Sequence, residues 1–183
     1  SRVATEGDDR IVESLDWVDL QRLSLRQGGC VPRLEELSQY ASHVRMNLEI
    51  KTLTAVSRVI EFLGGVKAEG WVVSSFEFEA LLAVRASLPE IEIGYLLEQK
   101  PLENEAECLA RAEYQIKQLD PQRIHLDDGF CNAGNLSRLC GMGLPIHVWT
   151  VNTVERGTWL ELNGAVGLFT DDMRLFTAVG VQP

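Results

Sequence analysis

No two of the four cysteines stand two residues apart: Cys30, Cys108, Cys131 and Cys140 are scattered along the chain, with no histidines interleaved. A zinc site or a thiol redox motif is therefore not supported, and reduced thiols are expected, which favours a cytoplasmic setting over a periplasmic or secreted one. No apolar run approaches the length that spans a membrane. A basic stripe is also missing: the net charge is -10 over 183 residues, which argues against a nucleic-acid partner. Histidine is scarce, limited to His43, His125 and His147. Ser74 and Ser75 lie in no Gly-x-Ser-x-Gly turn, so a serine nucleophile is not indicated. The sequence opens on Ser1 with neither an initiator methionine nor a signal peptide, and a natural start upstream is expected.

What is present is a regular alternation. Residues 1–29 are polar and irregular apart from an amphipathic piece from Leu15 to Leu25, and read as a surface segment. Pro32, followed by Glu35 and Glu36, opens a helical pattern carried by Leu34, Leu37, Ala41 and Val44. Strands are then predicted at Met46–Lys51, Trp71–Ser75, Ile91–Leu97, Arg123–Leu126, Ile146–Val151 and Val166–Thr170. Helices are predicted at Thr52–Leu63, Glu77–Ser87, Glu103–Leu119, Asn132–Cys140 and Val154–Leu162, with a short last one from Asp172. Such alternation implies parallel strands joined by right-handed crossovers in a single domain.

A doubly wound sheet and a (β/α) barrel both satisfy this order. Polar residues gather after nearly every strand: Glu49 and Lys51, Ser74 and Ser75, Asp127 and Asp128, Asn152, Thr170 and Asp171. A doubly wound sheet would concentrate its site at one switch point, so the spread favours the barrel. Six strands fall short of the eight units and roughly 250 residues of a closed barrel. About two units are expected to be lacking at the front, leaving open edges near Met46 and Val166 through which copies of the chain could associate.

Met46-Asn47-Leu48-Glu49-Ile50-Lys51 carries the strongest chemical signal. Alternation sends Met46, Leu48 and Ile50 to one face and Asn47, Glu49 and Lys51 to the other. A parallel strand is usually apolar on both faces, and a carboxylate beside an ammonium on the interior face needs pairing or a bound ion. The pattern alone leaves open whether Glu49 ligates a metal or pairs with Lys51.

Val31-Pro32-Arg33-Leu34-Glu35-Glu36-Leu37, Asn47-Leu48-Glu49-Ile50-Lys51, Ser74-Ser75-Phe76, Val148-Trp149-Thr150-Val151-Asn152 and Phe169-Thr170-Asp171, in that order, resemble the glycerophosphodiester phosphodiesterase family. The resemblance implies a (β/α)8 barrel that hydrolyses glycerophosphodiesters to glycerol 3-phosphate and an alcohol with a divalent cation, Mg2+ or Ca2+. It makes Glu49 a metal ligand and Lys51 a catalytic contact to the phosphate. Trp149 becomes a pocket aromatic and Asn152 a polar rim residue. Independently of the resemblance, Ser74 and Ser75, in no nucleophile turn, read as hydrogen-bond donors at the pocket wall, with Ser75 the substrate-binding candidate. The family's early His-Arg, Pro-Glu-Asn, Glu-x-Asp and His-Asp motifs have no counterpart, and its two early histidines, the general acid and base, are matched by none of the three here. Arg33 replaces a helix-capping threonine. The remaining alternatives are a non-catalytic barrel remnant that binds a ligand or partner, and lipid-directed phosphodiester chemistry of the sphingomyelinase D type.

Overall fold

The computed structural model describes residues 2–4, 9–23, 25, 28–41 and 43–174. Six parallel strands run in the order β3-β4-β5-β6-β7-β8: β3 Asn47–Glu49, β4 Val72–Ser75, β5 Glu92–Leu97, β6 Arg123–Asp127, β7 Ile146–Trp149 and β8 Gly167–Leu168. Each pairs with the next in sequence, so the sheet is singly wound and curls as a half-barrel. The doubly wound alternative falls with that order. Among the described residues β3 and β8 form the two edges.

The intervening helices are α2 Val56–Gly64, α3 Phe78–Ser87, α4 Glu105–Leu119, α5 Ala133–Cys140 and α6 Val154–Leu162. Their boundaries follow local chemistry. Asn104 caps α4 by accepting from Glu107 N at 3.0 Å, while Glu107 reaches back to Asn104 N at 2.9 Å. Asn132 and Thr153 cap α5 and α6 with the side-chain oxygen alone, accepting from Asn135 N and Arg156 N. On α4 the stripe Cys108, Leu109, Ala112, Ile116 and Leu119 is buried against the sheet, at the spacing of one helix face. Alternate strand residues Ile93, Tyr95 and Leu97 on β5, and Ile124 and Leu126 on β6, point into that outer layer, which is the main core.

Residues 1–29 hold more structure than the sequence suggested. Arg2–Ala4 (β1) and Asp9–Ile11 (β2) pair as an antiparallel hairpin, and Trp17–Gln21 forms α1, capped by Asp16. The helix expected after Pro32 is a 3-10 segment, Leu34–Tyr40. Its entry is held from inside, since Glu36 Oε1 accepts from Arg33 N at 3.0 Å. The Arg33 side chain instead lies over the Trp17 ring, 4.4 Å from its centroid. Beyond Arg174 the expected last helix lies outside the described residues, and Asp172–Arg174 forms no helix.

Candidate active site

The sheet's concave face is polar because register brings its inward positions into rows. Asn47 and Glu49 lie beside Val72 and Ser74, Gly94 beside Arg123, and His125 beside His147. One row deeper than the mouth, the His125 and His147 rings stack at 5.6 Å and 15°, with Phe169 edge-on to His125 at 4.8 Å. These rings need room from their neighbours: Gly94 lies under His125, and Gly167 lies against His147.

His125 is buried, and its Nδ1 has no hydrogen-bond partner. Burial, then the neighbouring His147 and Arg123, push its pKa down to about 3 from 6.5. Burial and Arg123 also lower His147. The unfolded chain binds these protons below about pH 6.5, whereas the folded interior refuses them. Stability is therefore complete above that pH and is lost as the pH falls toward 3. His125 alone contributes on the order of 3–5 kcal/mol to the loss. Chemical unfolding at pH 7 and pH 5 should show the decline, and His125→Gln should flatten it. An unchanged slope in that variant would rule out the assignment.

The mouth lies where the strands end. Glu49 and Lys51 leave β3 side by side, and Lys51 Nζ donates to Glu49 Oε1 at 2.6 Å. The two side chains are 30% and 58% exposed, so this is a mouth pair in contact with water. The pairing leaves Glu49 as a carboxylate that carries a hydrogen-bonded ammonium at the strand end.

Trp149 closes β7. Its Nε1 donates to the His125 carbonyl at 3.0 Å, and its ring meets Phe76 edge-on at 5.6 Å. The indole is thus fixed by a hydrogen bond on one side and an aromatic contact on the other, and the Trp149–Thr150 peptide that follows is cis. Phe76 was part of a sequence fragment but not singled out. Its place directly after a buried strand, half-exposed, was the available signal.

Asn152 is exposed and fastens the β7 exit to the β8 exit. Its Oδ1 accepts from Thr170 Oγ1 and Asp171 N, both at 3.0 Å, and its Nδ2 donates to Asp171 Oδ2 at 3.1 Å. Ser75 is fully buried. Its hydroxyl donates to Ile50 O at 2.6 Å and accepts from Glu77 N at 3.0 Å, tying β4 to the end of β3. With both capacities used, Ser75 acts as a brace for the strand that carries Glu49 and Lys51. Ser75→Ala should lower stability by about 1–3 kcal/mol by stranding these backbone groups, read as a shift in the urea midpoint. A neutral result would remove the brace.

Buried His125 and half-buried His147 stand two residues before their strand ends, and His43 is exposed on the segment entering β3, at the opposite end. All four cysteines are free thiols, and burial raises Cys108 to about 11 and Cys131 to about 12, so neither serves as a nucleophile. Among the described residues no three His, Cys, Asp or Glu side chains converge on a metal position. Glu49 offers one carboxylate where hard cations take six or more oxygens, so the residues present do not by themselves make a Mg2+ or Ca2+ site. No helix of the described residues is long and apolar enough to cross a membrane.

A parallel half-barrel that gathers a carboxylate, an ammonium and a fixed indole at its strand C-termini is of the β/α-barrel enzyme class. The chain belongs to the glycerophosphoryl diester phosphodiesterase family, whose sequence profile matches residues 2–175.

Solved structures repeat the fold. A phosphodiesterase from Oleispira antarctica, solved with the product sn-glycerol-3-phosphate, aligns over 96% of this chain and 74% of its own, with 21% identity and a TM-score of 0.75. A glycerophosphodiester phosphodiesterase from Parabacteroides distasonis covers 92% and 72%, at 17% identity and a TM-score of 0.73. One from Thermotoga maritima covers 97% and 82%, at 22% identity and a TM-score of 0.62. Likeness at these identities is one of fold. No curated protein matches the chain by sequence.

Proposed function

We propose that this protein hydrolyses glycerophosphodiesters to glycerol 3-phosphate and an alcohol. The observation that carries the reading is the Lys51 ammonium held at the strand-end mouth by Glu49, in a chain of this family. An overall charge of -10 repels a phosphodiester, so a local cation is needed where the phosphate sits. Lys51 is the residue we assign to it. Charge-assisted donation from its Nζ to a non-bridging oxygen would strengthen as negative charge builds on phosphorus. Trp149 gives the substrate an apolar wall, and Asn152 keeps the two neighbouring loops together at the rim.

A divalent cation belongs to the proposal only as an ion that Glu49 would help to hold, where it would neutralise phosphate charge. Water and the substrate phosphate would supply further oxygens to such an ion. The test is incubation of the purified protein with glycerophosphocholine, with and without Mg2+ or Ca2+, and assay for glycerol 3-phosphate. Its appearance in proportion to protein supports the reading. Binding of glycerol 3-phosphate without turnover would replace it with a ligand-binding role.

A further inference from the structure

At the end of the sheet where the strands begin, opposite the Lys51 mouth, a cavity of about 300 Å3 opens on the concave face. Arg45 and Arg123 stand in its wall, and the stacked rings of His125 and His147 form part of its lining. The reaction proposed above uses none of these groups. Several are left without partners. His125 is 1% exposed, and its Nδ1 has no hydrogen-bond partner. One guanidinium nitrogen of Arg123 donates to Glu92, while its Nε is buried without an acceptor. Interior polar atoms in that state are rare in folded chains and mark a place for an ordered water, an ion or a ligand.

Charge selects the occupant. Neutral imidazoles are good metal ligands, but two guanidinium groups repel a cation, and the one carboxylate in the lining, Glu92, is already paired with Arg123. Arg45 has no ion-pair or hydrogen-bond partner among the described residues. It also lines an adjoining cavity, where Lys67 stands against Glu69. The local balance is therefore positive on a chain of net charge -10, the condition for attracting an anion. At pH 7 both imidazoles are neutral, because burial above all lowers their pKa, and each keeps one ring N–H to donate. Asn47 adds an amide to the lining. Guanidinium, imidazole and amide donors together suit an oxyanion, which accepts from all three.

We propose that this cavity binds a small tetrahedral oxyanion, inorganic phosphate or the head of a phosphate monoester, between Arg45, Arg123 and His125. The site is separate from the Lys51 mouth and does not depend on the phosphodiesterase reading.

The test is a titration of the full chain with inorganic phosphate at pH 7 and constant ionic strength, read by the imidazole NMR resonances of His125 and His147. The wild type and Lys51→Met should show the same saturable shift at millimolar phosphate. Arg45→Gln, a change at an exposed side chain, should bind roughly 10-fold more weakly, the scale of one charge-assisted hydrogen bond. Arg45→Glu should abolish the shift. Methyl phosphate in place of phosphate tells a monoester from the free ion, and tighter binding of either upholds the site. No saturable shift in the wild type, or one unchanged in both Arg45 variants, would overturn the inference. A shift lost in Lys51→Met would overturn it as well, because the anion would then sit at the mouth. That last result would favour the phosphodiester reading, so the two proposals fail separately.

Discussion

Replacing Gly94 with alanine is expected to destabilise the protein by about 1–3 kcal/mol, through overpacking against a ring held on two sides. A Cβ there would lie 2.3 Å from His125 Cε1, 2.6 Å from Nε2 and 2.8 Å from Nδ1. The ring cannot swing away, because His147 stacks on it and Phe169 meets its side. Moving it would also disturb the backbone whose carbonyl holds Trp149 Nε1. Urea unfolding of Gly94→Ala, His125→Ala and the double variant gives the coupling directly. The double variant should be less destabilised than the sum of the singles. If Gly94→Ala unfolds at the wild-type midpoint, the ring does not occupy this place in solution. Any effect on the site should then follow through Trp149, because the deformation lies one row below the mouth.

Lys51→Met is expected to weaken binding of sn-glycerol 3-phosphate roughly 30-fold, equivalent to about 2 kcal/mol for a charge-assisted hydrogen bond in a partly hydrated mouth. The butyl stem is nearly preserved, so the change isolates the ammonium. Glu49→Gln separates two roles. Without divalent ions it frees Lys51 from the carboxylate 2.6 Å away, and phosphate affinity should rise several-fold, more at low salt than at high. With Mg2+ present, a ligand role for Glu49 requires that any metal-dependent gain seen in the wild type disappear in Glu49→Gln. Isothermal titration in chelator and in Mg2+ reads both. Unchanged affinity in Lys51→Met would place the phosphate elsewhere.

Much of the architecture was legible because parallel strands and amphipathic helices carry their periods locally. Ile124 and Leu126 alternate with His125 and Asp127, and Val56, Val59 and Leu63 recur on one face of α2. The hairpin at Arg2–Ala4 and Asp9–Ile11 escaped because three-residue strands supply too short a period to recognise. Ser75 shows the corresponding limit in the site. Sequence placed it correctly at a strand end, but a hydroxyl has no periodicity that tells a pocket donor from a brace, and Ile50 O lies on another strand.

By itself, then, the sequence determined the alternating β/α order, the faces of each strand, and the arrival of Glu49, Lys51 and Trp149 at strand ends. Periodicity and family-like fragments are properties of neighbouring residues. Only the tertiary structure decided that Glu49 pairs with Lys51, that His125 and His147 stack below the mouth, that Gly94 makes space for them, and that Phe76 holds the indole. Strand order and register bring together residues tens of positions apart, and the contacts then depend on space and burial that no single stretch of chain specifies.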